Sequence, residues 1–421
     1  MRHSPHRRVL ILVPLLLAAS ALPVQAVGAD GGVRRAARPA SQIGYTSWGT
    51  ATELATGKAQ GTTTTSDQIV LAIPAPRRLK LGKTPYEAGR WRSPWVSTAF
   101  ALDELVPSWD ATTTKRSFID VEVRGRDTTG KRSSWDTLAR WASSDKRVRR
   151  TTFSGQADDL AGVAVDTWRA RGAGLTRWQL RVTLARKAGT KAPVVVDSIG
   201  AMASRVPAGA GPTSVPGPGA GITLDVPAYS QMTHRGHFPQ WGSGGQAWCS
   251  PTSMSMVLGY YGALPPATAY PWVPAGHPDP WVDHAARATY DHGYEGTGNW
   301  SFNTAYAASR AGSAFVTRLR SLAEAEQFIA AGIPLVASIA FGSGELGGAP
   351  ISASNGHLLV ITGFTASGDV VVNDPAAPTN ATVRRTYSRA QLERAWLDAS
   401  GGVVYVVHDA AHPLPASAGN W

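Results

Sequence analysis

The sequence predicts an all-β sandwich of jelly-roll type followed by an α+β domain. Between residues 42 and 205, short runs of β-branched and aromatic residues alternate with polar turns, as half-buried antiparallel strands do. Over residues 222–412, apolar residues recur at helical spacing in some stretches and form strand-like runs in others. Residues 206–221 lie between these two parts. They are rich in Gly, Pro and Ala and are therefore predicted to be a linker.

The first 26 residues have the three parts of an export signal. A basic stretch over residues 1–8 precedes the apolar run 9–22, which is short for a membrane span, and residues 24–26 fit a cleavage site. We therefore expect a secreted protein with no membrane association once the signal is removed. Residues 27–41 are expected to be a disordered arm, and residues 413–421 a tail.

The net charge of +12 is distributed unevenly. Residues 27–210 hold 29 Lys and Arg against 16 Asp and Glu, whereas residues 211–421 hold nine Arg, no Lys and 13 acids. Two halves of opposite sign predict two domains with separate tasks. A basic exported domain favours anionic polymers of a cell surface or wall as partners, unless the charge serves solubility alone. We expect no nucleic-acid partner.

The predicted sandwich contains no recognisable catalytic constellation, but it is rich in tryptophan. These side chains either belong mostly to the core or form a face on which carbohydrate stacks: Trp91, Trp95, Trp109, Trp135, Trp141, Trp168 and Trp178.

Cys249 is the only cysteine of the chain, so no disulfide can form within it. A helix is predicted directly after it, with Ser250 as N-cap, Pro251 in the first helical position and Gly262 closing the helix. A thiol at a helix N-terminus faces unpaired N–H groups and the positive end of the helix dipole, which favour the nucleophilic thiolate. The alternative is a small buried hydrophobic residue. One helix face should be buried: Met254, Val257, Leu258 and Tyr261.

His357 is the best candidate for the base that a cysteine nucleophile needs. It follows a flexible loop over residues 352–356 and begins a strongly apolar strand. Asp374 is the candidate group that orients His357, with Asn373 as runner-up, because the strand over residues 370–373 should return antiparallel to the first.

The register of these two strands raises a difficulty. A tight turn at Ser367-Gly368 would pair Asp374 with Ile361, about 13 Å along the strand from His357. A bulge or a wider loop is therefore required to bring the carboxylate to the imidazole.

An oxyanion hole would need two donors. The backbone N–H of Cys249 can be one of them, and a side-chain amide upstream is expected to be the other. Gln231, Gln240 and Gln246 all qualify by residue type.

Further elements are predicted in the α+β part. The predicted strands cover residues 224–229, 335–341, 357–364, 370–373 and 403–408. The predicted helices cover 280–291, a segment from Ser301 as N-cap toward 311, a segment from Ser321 to about 332 with Glu324 completing a capping box, and 391–396.

Four motifs in order resemble those of the C39-like peptidase family, a group of papain-like cysteine peptidases. They cover residues 226–231, 248–262, 356–363 and 372–375. The resemblance implies a papain-like fold over residues 222–412.

The same resemblance implies roles for four residues: Cys249 as nucleophile, His357 as base, Asp374 as the group that orients the base, and Gln231 as oxyanion donor. The chain departs from the family in having Ser250 where a glycine is usual. Gln231 also lies 18 residues before the cysteine, farther than is typical, which keeps Gln246 as an alternative donor.

The sequence thus predicts a secreted cysteine peptidase that hydrolyses peptide or amide bonds through an acyl-thioenzyme. Its substrate is expected to be a peptide or cell-wall material. We expect no cofactor and no metal, because the histidines form no recognised ligand motif. The alternatives are a cell-wall peptidoglycan amidase or endopeptidase, and a non-catalytic surface-binding protein with a C39-like domain.

Overall fold

The structure is a computed structural model that describes residues 40–209 and 211–421. The expected signal peptide, and all but the last two residues of the expected arm over 27–41, lie outside the described residues. No helix among the described residues is long and apolar enough to cross a membrane.

The β-rich region is built from strands joined by short turns, and helix α1 covers Ala51–Ala55. Its strands are β1 (Gln42–Trp48), β2 (Lys58–Gln60), β3 (Thr62–Thr65), β4 (Gln68–Leu71), β5 (Arg77–Leu81), β6 (Thr84–Arg92), β7 (Val96–Leu102), β8 (Glu104–Thr112), β9 (Ser117–Arg126), β10 (Asp136–Trp141), β11 (Thr151–Thr152), β12 (Ala161–Ala164), β13 (Thr167–Ala170), β14 (Leu175–Lys187) and β15 (Val195–Arg205).

These strands pair into two antiparallel sheets within the described part of the chain. The first runs β12-β13-β8-β15-β4-β3, with β1 also paired to β15. The second runs β11-β10-β9-β14-β6-β2, with β5 paired to β6 and β7 to β14. Apolar side chains from both sheets share one hydrophobic cluster, so the sheets face each other as a sandwich.

Tryptophans provide much of the sandwich core. Five of those singled out in the sequence are at most 3% exposed: Trp91, Trp109, Trp141, Trp168 and Trp178. Trp95 and Trp135 are instead half-buried and contact arginines on the outer side of the second sheet. Most of these tryptophans are therefore core residues, and two are available to a surface.

The α+β region consists of a mixed set of helices around one antiparallel sheet. Its helices are α2 (Cys249–Tyr260), α3 (Pro280–Thr289), α4 (Trp300–Ala311), α5 (Leu322–Ala330) and α6 (Arg389–Ser400). Its strands are β16 (Ser313–Arg318), β17 (Leu335–Phe341), β18 (Ser354–Phe364), β19 (Val370–Asn373), β20 (Arg384–Tyr387) and β21 (Val403–His408). The predicted order, a β-rich region followed by an α+β region, is confirmed.

This third sheet has the order β16-β21-β17-β18-β19-β20 and is covered on both faces. Residues of α2 and α4 pack on one face, and residues of α5 and α6 pack on the other. Alternate residues of each strand therefore enter different cores, which explains the nearly continuous apolar runs of β17, β18 and β21.

Three sequence predictions about this region were wrong in detail. Residues 224–229 form no strand; Leu224 donates to the carbonyl of Thr362, and the segment runs along the edge of the bulged part of β18. Helix α4 is capped by Asn299, whose side chain accepts from the N–H of Phe302, rather than by Ser301. The predicted capping box at Ser321 is also absent, because the Glu324 carboxylate accepts from the N–H of Arg320 instead.

The β-rich and α+β regions share a buried boundary. Phe302 of α4 is fully buried, with its ring centroid 6.2 Å from Trp109 and 5.3 Å from Trp141 of the sandwich. Arg318 of β16 donates to Glu104 and to the hydroxyl of Ser204 across the same boundary. The sandwich is thus packed against the α+β region rather than tethered to it.

The glycine- and proline-rich segment between the regions is held along the α+β part. The N–H groups of Ser214, Gly217 and Gly219 donate to the carboxylates of Glu393 and Glu326. The glycines of this segment permit the close approach of its backbone to these carboxylates, since a Cβ at Gly219 would lie 2.9 Å from Glu326.

Candidate active site

Helix α2 begins at Cys249 itself, with Trp248 in the N-cap position, two residues earlier than predicted. Ser250 does not cap it; its hydroxyl lies 3.0 Å from the Tyr405 hydroxyl inside the core. The predicted single buried face was also too narrow, since residues 250–258 are all buried. Cys249 remains partly exposed, so this buried helix holds its thiol at the core surface with the first-turn N–H groups beside it.

His357 and Asp374 meet as an imidazole–carboxylate pair. Nε2 of His357 lies 2.8 Å from Oδ1 of Asp374, and the two side chains are 3% and 0% exposed. Nε2 is thereby engaged with the carboxylate, and the imidazole also interacts with the thiol of Cys249, since each of these two groups shifts the pKa of the other. The imidazole thus interacts with both the thiol and the carboxylate.

Two further groups hold the Asp374 carboxylate. The Tyr387 hydroxyl donates to Oδ2 at 2.7 Å, and the N–H of Ala376 donates to Oδ1 at 3.0 Å. Tyr387 lies at the end of β20, a short polar strand, and no motif in the sequence pointed to it. Asn373, the alternative orienting group, instead donates its amide to the carbonyls of Val226 and Pro227.

The register difficulty is resolved by two shifts of one residue each. The connection between β18 and β19 is wider than a tight turn, since Phe364 pairs with Val370. A β-bulge at Thr362 then moves the pairing again, so that Val360 lies opposite Asn373. Asp374 follows opposite residue 359, two positions from His357 and on the same face of the sheet, within reach of its side chain.

Gly363 makes this bulge possible. A Cβ at Gly363 would lie 2.3 Å from the carbonyl oxygen of Ile222, because the backbone of residues 222–224 pairs closely with the bulged strand. Only a residue without a side chain allows that approach.

The three groups shift one another's pKa values. Burial alone would raise the pKa of Asp374, but the charge and hydrogen bond of His357 outweigh it and lower the pKa. Burial alone would lower the pKa of His357, but Asp374 and the thiol raise it well above its usual 6.5. Burial alone would raise the pKa of Cys249, but His357 lowers it below the usual 9.0. The site therefore favours a thiolate–imidazolium pair.

Gln231 lies beside this pair, in a short 3₁₀ turn over Gln231–His234. Its N–H donates to the carbonyl of Pro375, and its amide Nε2 donates to the carbonyl of Gln246 at 2.7 Å. The side chain is 4% exposed, and the residue lines the same cleft as Cys249. One N–H of the amide is thus anchored, while the other has no protein acceptor among the described residues.

The other two glutamines are placed differently. Gln246 is exposed, and its side-chain amide is tied within its own loop, to the N–H of Gly236 and the carbonyl of Ser243. Gln240 is also exposed and does not line the cleft. Of the three candidates, Gln231 has the rigid, buried setting that a preorganised donor requires.

Cys249 and His357 open into a cleft of about 860 Å³. One wall is formed by residues 294–298 with Trp300, and another by residues 338–340. The sandwich also contributes to it through Arg169 of β13, whose side chain is 62% exposed and pairs with Glu104 at 3.1 Å. Sequence reasoning found no site residue in the sandwich, because the cleft exists only once the two regions are packed together.

The wall over residues 294–298 is fixed by the sandwich. Asp291, fully buried at the base of this loop, accepts hydrogen bonds from Thr152 of β11 and from Asn299. Asp166 accepts from the N–H of Trp300 at 2.6 Å. Each end of the loop is therefore held by a hydrogen bond between a carboxylate of one region and a donor of the other.

His234, His237 and Asp283 form the group of side chains best placed to hold a metal ion in the described part of the chain, with ligand atoms within 4.8 Å of one another. The two Nδ1 atoms lie 3.2 and 3.0 Å from the two oxygens of Asp283, whereas Nε2 of His234 is buried with no hydrogen-bond partner among the described residues. Because the cluster begins three residues after Gln231, it braces the turn that holds the candidate oxyanion donor.

Two family models match the chain. The Peptidase_C39 like family matches residues 223–404, and the Peptidase C39 N-terminal domain matches residues 44–204. The chain belongs to the C39-like peptidase family. Both matches end close to the limits of the two structural regions, so the sandwich is the N-terminal domain of this C39-like protein. A comparison with curated proteins finds no match.

Proposed function

We propose that the protein is a secreted cysteine peptidase that hydrolyses peptide or amide bonds. The single observation that carries the proposal is the line from the Cys249 thiol through His357 to Asp374, which begins in an open cleft. Secretion is supported by the signal-like character of residues 1–26.

In the first step, the Cys249 thiolate attacks the carbonyl carbon and forms a C–S bond. The carbonyl oxygen becomes an oxyanion, which the N–H of Cys249 and the free N–H of the Gln231 amide stabilise. The C–N bond then breaks as the His357 imidazolium gives its proton to the leaving amine. Asp374, held by Tyr387, is a positioning residue that keeps His357 charged and oriented.

In the second step, neutral His357 takes a proton from water, and the hydroxide formed attacks the thioester. The C–S bond breaks, the carboxylic acid product leaves and the thiolate is restored.

The test uses the full secreted chain with Cys249→Ala, incubated with a mixed peptide library and with purified peptidoglycan. Loss of cleavage with an unchanged circular dichroism spectrum supports the nucleophile. Because Cys249 is the only cysteine, inactivation of the wild type by one equivalent of iodoacetamide is a second, independent measurement. Cleavage by Cys249→Ala at the wild-type rate contradicts the proposal.

The products distinguish the alternative activities. Cleavage between amino acids identifies a peptidase or endopeptidase, whereas release of peptides from the wall sugar identifies an amidase. Binding of either substrate without turnover by the wild type identifies a non-catalytic surface-binding protein.

A further inference from the structure

A group of arginines lies on the outer side of the second sheet, at one end of β6, β9 and β14. We call these residues the arginine face: Arg92, Arg124, Arg126, Arg132, Arg177 and Arg181. The inward positions of the same strands hold the sandwich core, for example Val121, Val123 and Leu180. Alternation along the strands therefore points the five arginines of β6, β9 and β14 to the outside, and Arg132, which follows β9, forms a bridge with Arg126.

Strand register sets the arginines side by side. Arg126 is paired on one side with Arg132 and on the other with Arg177. Arg181 is paired with Arg92. Neighbouring strands are about 4.8 Å apart, and like charges in such cross-strand positions destabilise the sheet.

Trp95 and Trp135 are interleaved with three of these arginines. The guanidinium of Arg124 lies 5.1 Å from the ring centre of Trp95 and 4.4 Å from that of Trp135. Arg126 lies 4.7 Å from Trp95, and Arg181 lies 4.2 Å from Trp135. Guanidinium groups and indole rings therefore alternate in one stack. These cation–π contacts hold the arginines in place and cover the faces of the tryptophan rings.

Few carboxylates neutralise this face. Glu122 pairs with Arg181, while within the described part of the chain Arg124 has only the neutral amide oxygen of Gln179 as acceptor. The remaining arginines have no carboxylate partner among the described residues: Arg92, Arg126, Arg132 and Arg177. No group in residues 40–209 and 211–421 accepts a hydrogen bond from the buried Nε of Arg126.

The pKa of Arg124 reflects both its burial and this crowding of arginines. Burial, and after it the charges of four neighbouring arginines, lower the pKa of Arg124 to about 10. The face is therefore an ordered cationic surface whose six arginines have one carboxylate partner, Glu122, among the described residues.

We propose that the arginine face binds a linear polyanion with repeating phosphate or carboxylate groups. The fork of each guanidinium matches such groups in two hydrogen bonds. Because the rings of Trp95 and Trp135 already stack on arginines, the site offers little surface on which a neutral sugar or a nucleobase could stack. Binding is thus ionic, and it is independent of the proposed peptidase activity.

The test compares two triple variants of the full chain. The first, Arg92→Gln with Arg132→Gln and Arg177→Gln, removes arginines that make no ion pair and lie outside the tryptophan stack. The matched control, Lys83→Gln with Lys115→Gln and Lys191→Gln, removes the same charge from exposed positions at the opposite end of the same sheet.

Binding is measured with fluorescent polyglycerol phosphate and polygalacturonate of equal length, with dextran as the neutral polymer. We expect the arginine variant to lose about tenfold or more in affinity and the lysine control to lose much less, with binding to the wild type weakening steeply as salt rises. The polymer that binds more tightly identifies the anionic group.

Several results would overturn the proposal. Equal losses in the two variants would show a general charge effect without a site. Absence of binding at low salt, or equally tight binding of dextran, would show that the arginine face is not a polyanion-binding site. Tighter binding of a single-stranded oligonucleotide than of either polymer would assign the face to nucleic acid instead. Unchanged thermal transitions in both variants establish that the comparison is between folded proteins.

Discussion

At the scale of single residues, the candidate site depends on how a buried carboxylate, an imidazole and a thiol shift one another's pKa values. The structure lowers the pKa of Cys249 and raises that of His357, so the two values are reversed relative to free side chains. Between the two shifted values, Cys249 is a thiolate while His357 is still protonated. In this pH range, Cys249 carries the charge needed for attack, and His357 has a proton to give to the leaving amine.

The pH dependence of hydrolysis follows from the signs of these shifts. As pH rises through the lowered pKa of Cys249, activity should rise; as pH rises further through the raised pKa of His357, activity should fall. Asp374→Asn removes the charge that supports His357, so the pKa of Cys249 should rise, and each unit of that rise lowers the thiolate fraction about tenfold on the acidic side. The measurement is the rate of iodoacetamide labelling across pH. A profile unchanged by Asp374→Asn would contradict the assigned role of the carboxylate.

The oxyanion hole is the second residue-scale prediction. Gln231→Ala should lower kcat more than it raises KM, by about 10²–10³-fold if it removes one preorganised donor. Gln246→Ala is the matched control, because it removes the same side chain from an exposed position three residues before the nucleophile. Both variants are compared at equal circular dichroism signal. A larger kcat loss for Gln246→Ala would move the donor to that residue, and wild-type rates for both would leave a hole built from backbone alone.

At the scale of elements, a β-bulge and two connecting segments bring distant parts of the chain together at the candidate site. The bulge at Thr362 and the wide connection to β19 align Asp374 with His357. The hydrogen bond from Gln231 to Pro375 places the candidate oxyanion donor next to the same segment. One short stretch after β19 therefore positions both the orienting carboxylate and the amide.

The loop after α3 depends on one buried carboxylate. Asp291→Ala would leave buried donors of Thr152 and Asn299 without an acceptor, at a cost of at least about 2 kcal/mol of unfolding free energy. Because the loop walls the cleft, kcat/KM should fall as well. Asp225→Ala, at a fully exposed aspartate, is the control and should change stability by less than about 0.5 kcal/mol. The measurements are urea unfolding and peptide hydrolysis; equal stability of the two variants would contradict the assigned anchor.

At the scale of the whole molecule, the sandwich and the α+β region share a boundary that also shapes the cleft. Phe302 joins the tryptophans of the sandwich, and Arg169 of the sandwich lines the cleft that contains Cys249 and His357. Contacts of this kind make the stability of one region depend on the other.

We therefore expect the two regions to unfold together. Phe302→Ala should cost about 3–5 kcal/mol and lower the thermal midpoint measured by intrinsic fluorescence and by loss of hydrolysis to the same extent. Ile73→Ala, at a side chain that is 78% exposed, is the control and should leave both midpoints unchanged. Two separate transitions, with only one of them shifted by Phe302→Ala, would show that the regions are independent.

The sequence by itself determined the order of the two regions and most strands and helices of the α+β part. It also indicated the four residues to examine for chemistry. Local signals in the sequence are enough to predict these features. They are the periodicity of apolar residues, the turn residues and the short motifs around Cys249, His357 and Asp374. Where several residues could cap a helix, sequence reasoning failed: Ser250 and Ser301 were predicted as N-caps, but Trp248 and Asn299 take those positions. Ser321 is the N-cap residue of α5 as predicted, although its capping box does not form.

Only the tertiary structure decided which distant groups meet. Tyr387 contacts Asp374 because of the β19–β20 pairing, and Arg169 reaches the cleft because the sandwich packs against α4. Trp95 was equivalent to the core tryptophans in sequence, and only strand register put it on the arginine face. The physical reason is the same in each case: a side chain's role depends on which neighbours are buried with it, and those neighbours come from segments far apart in the chain.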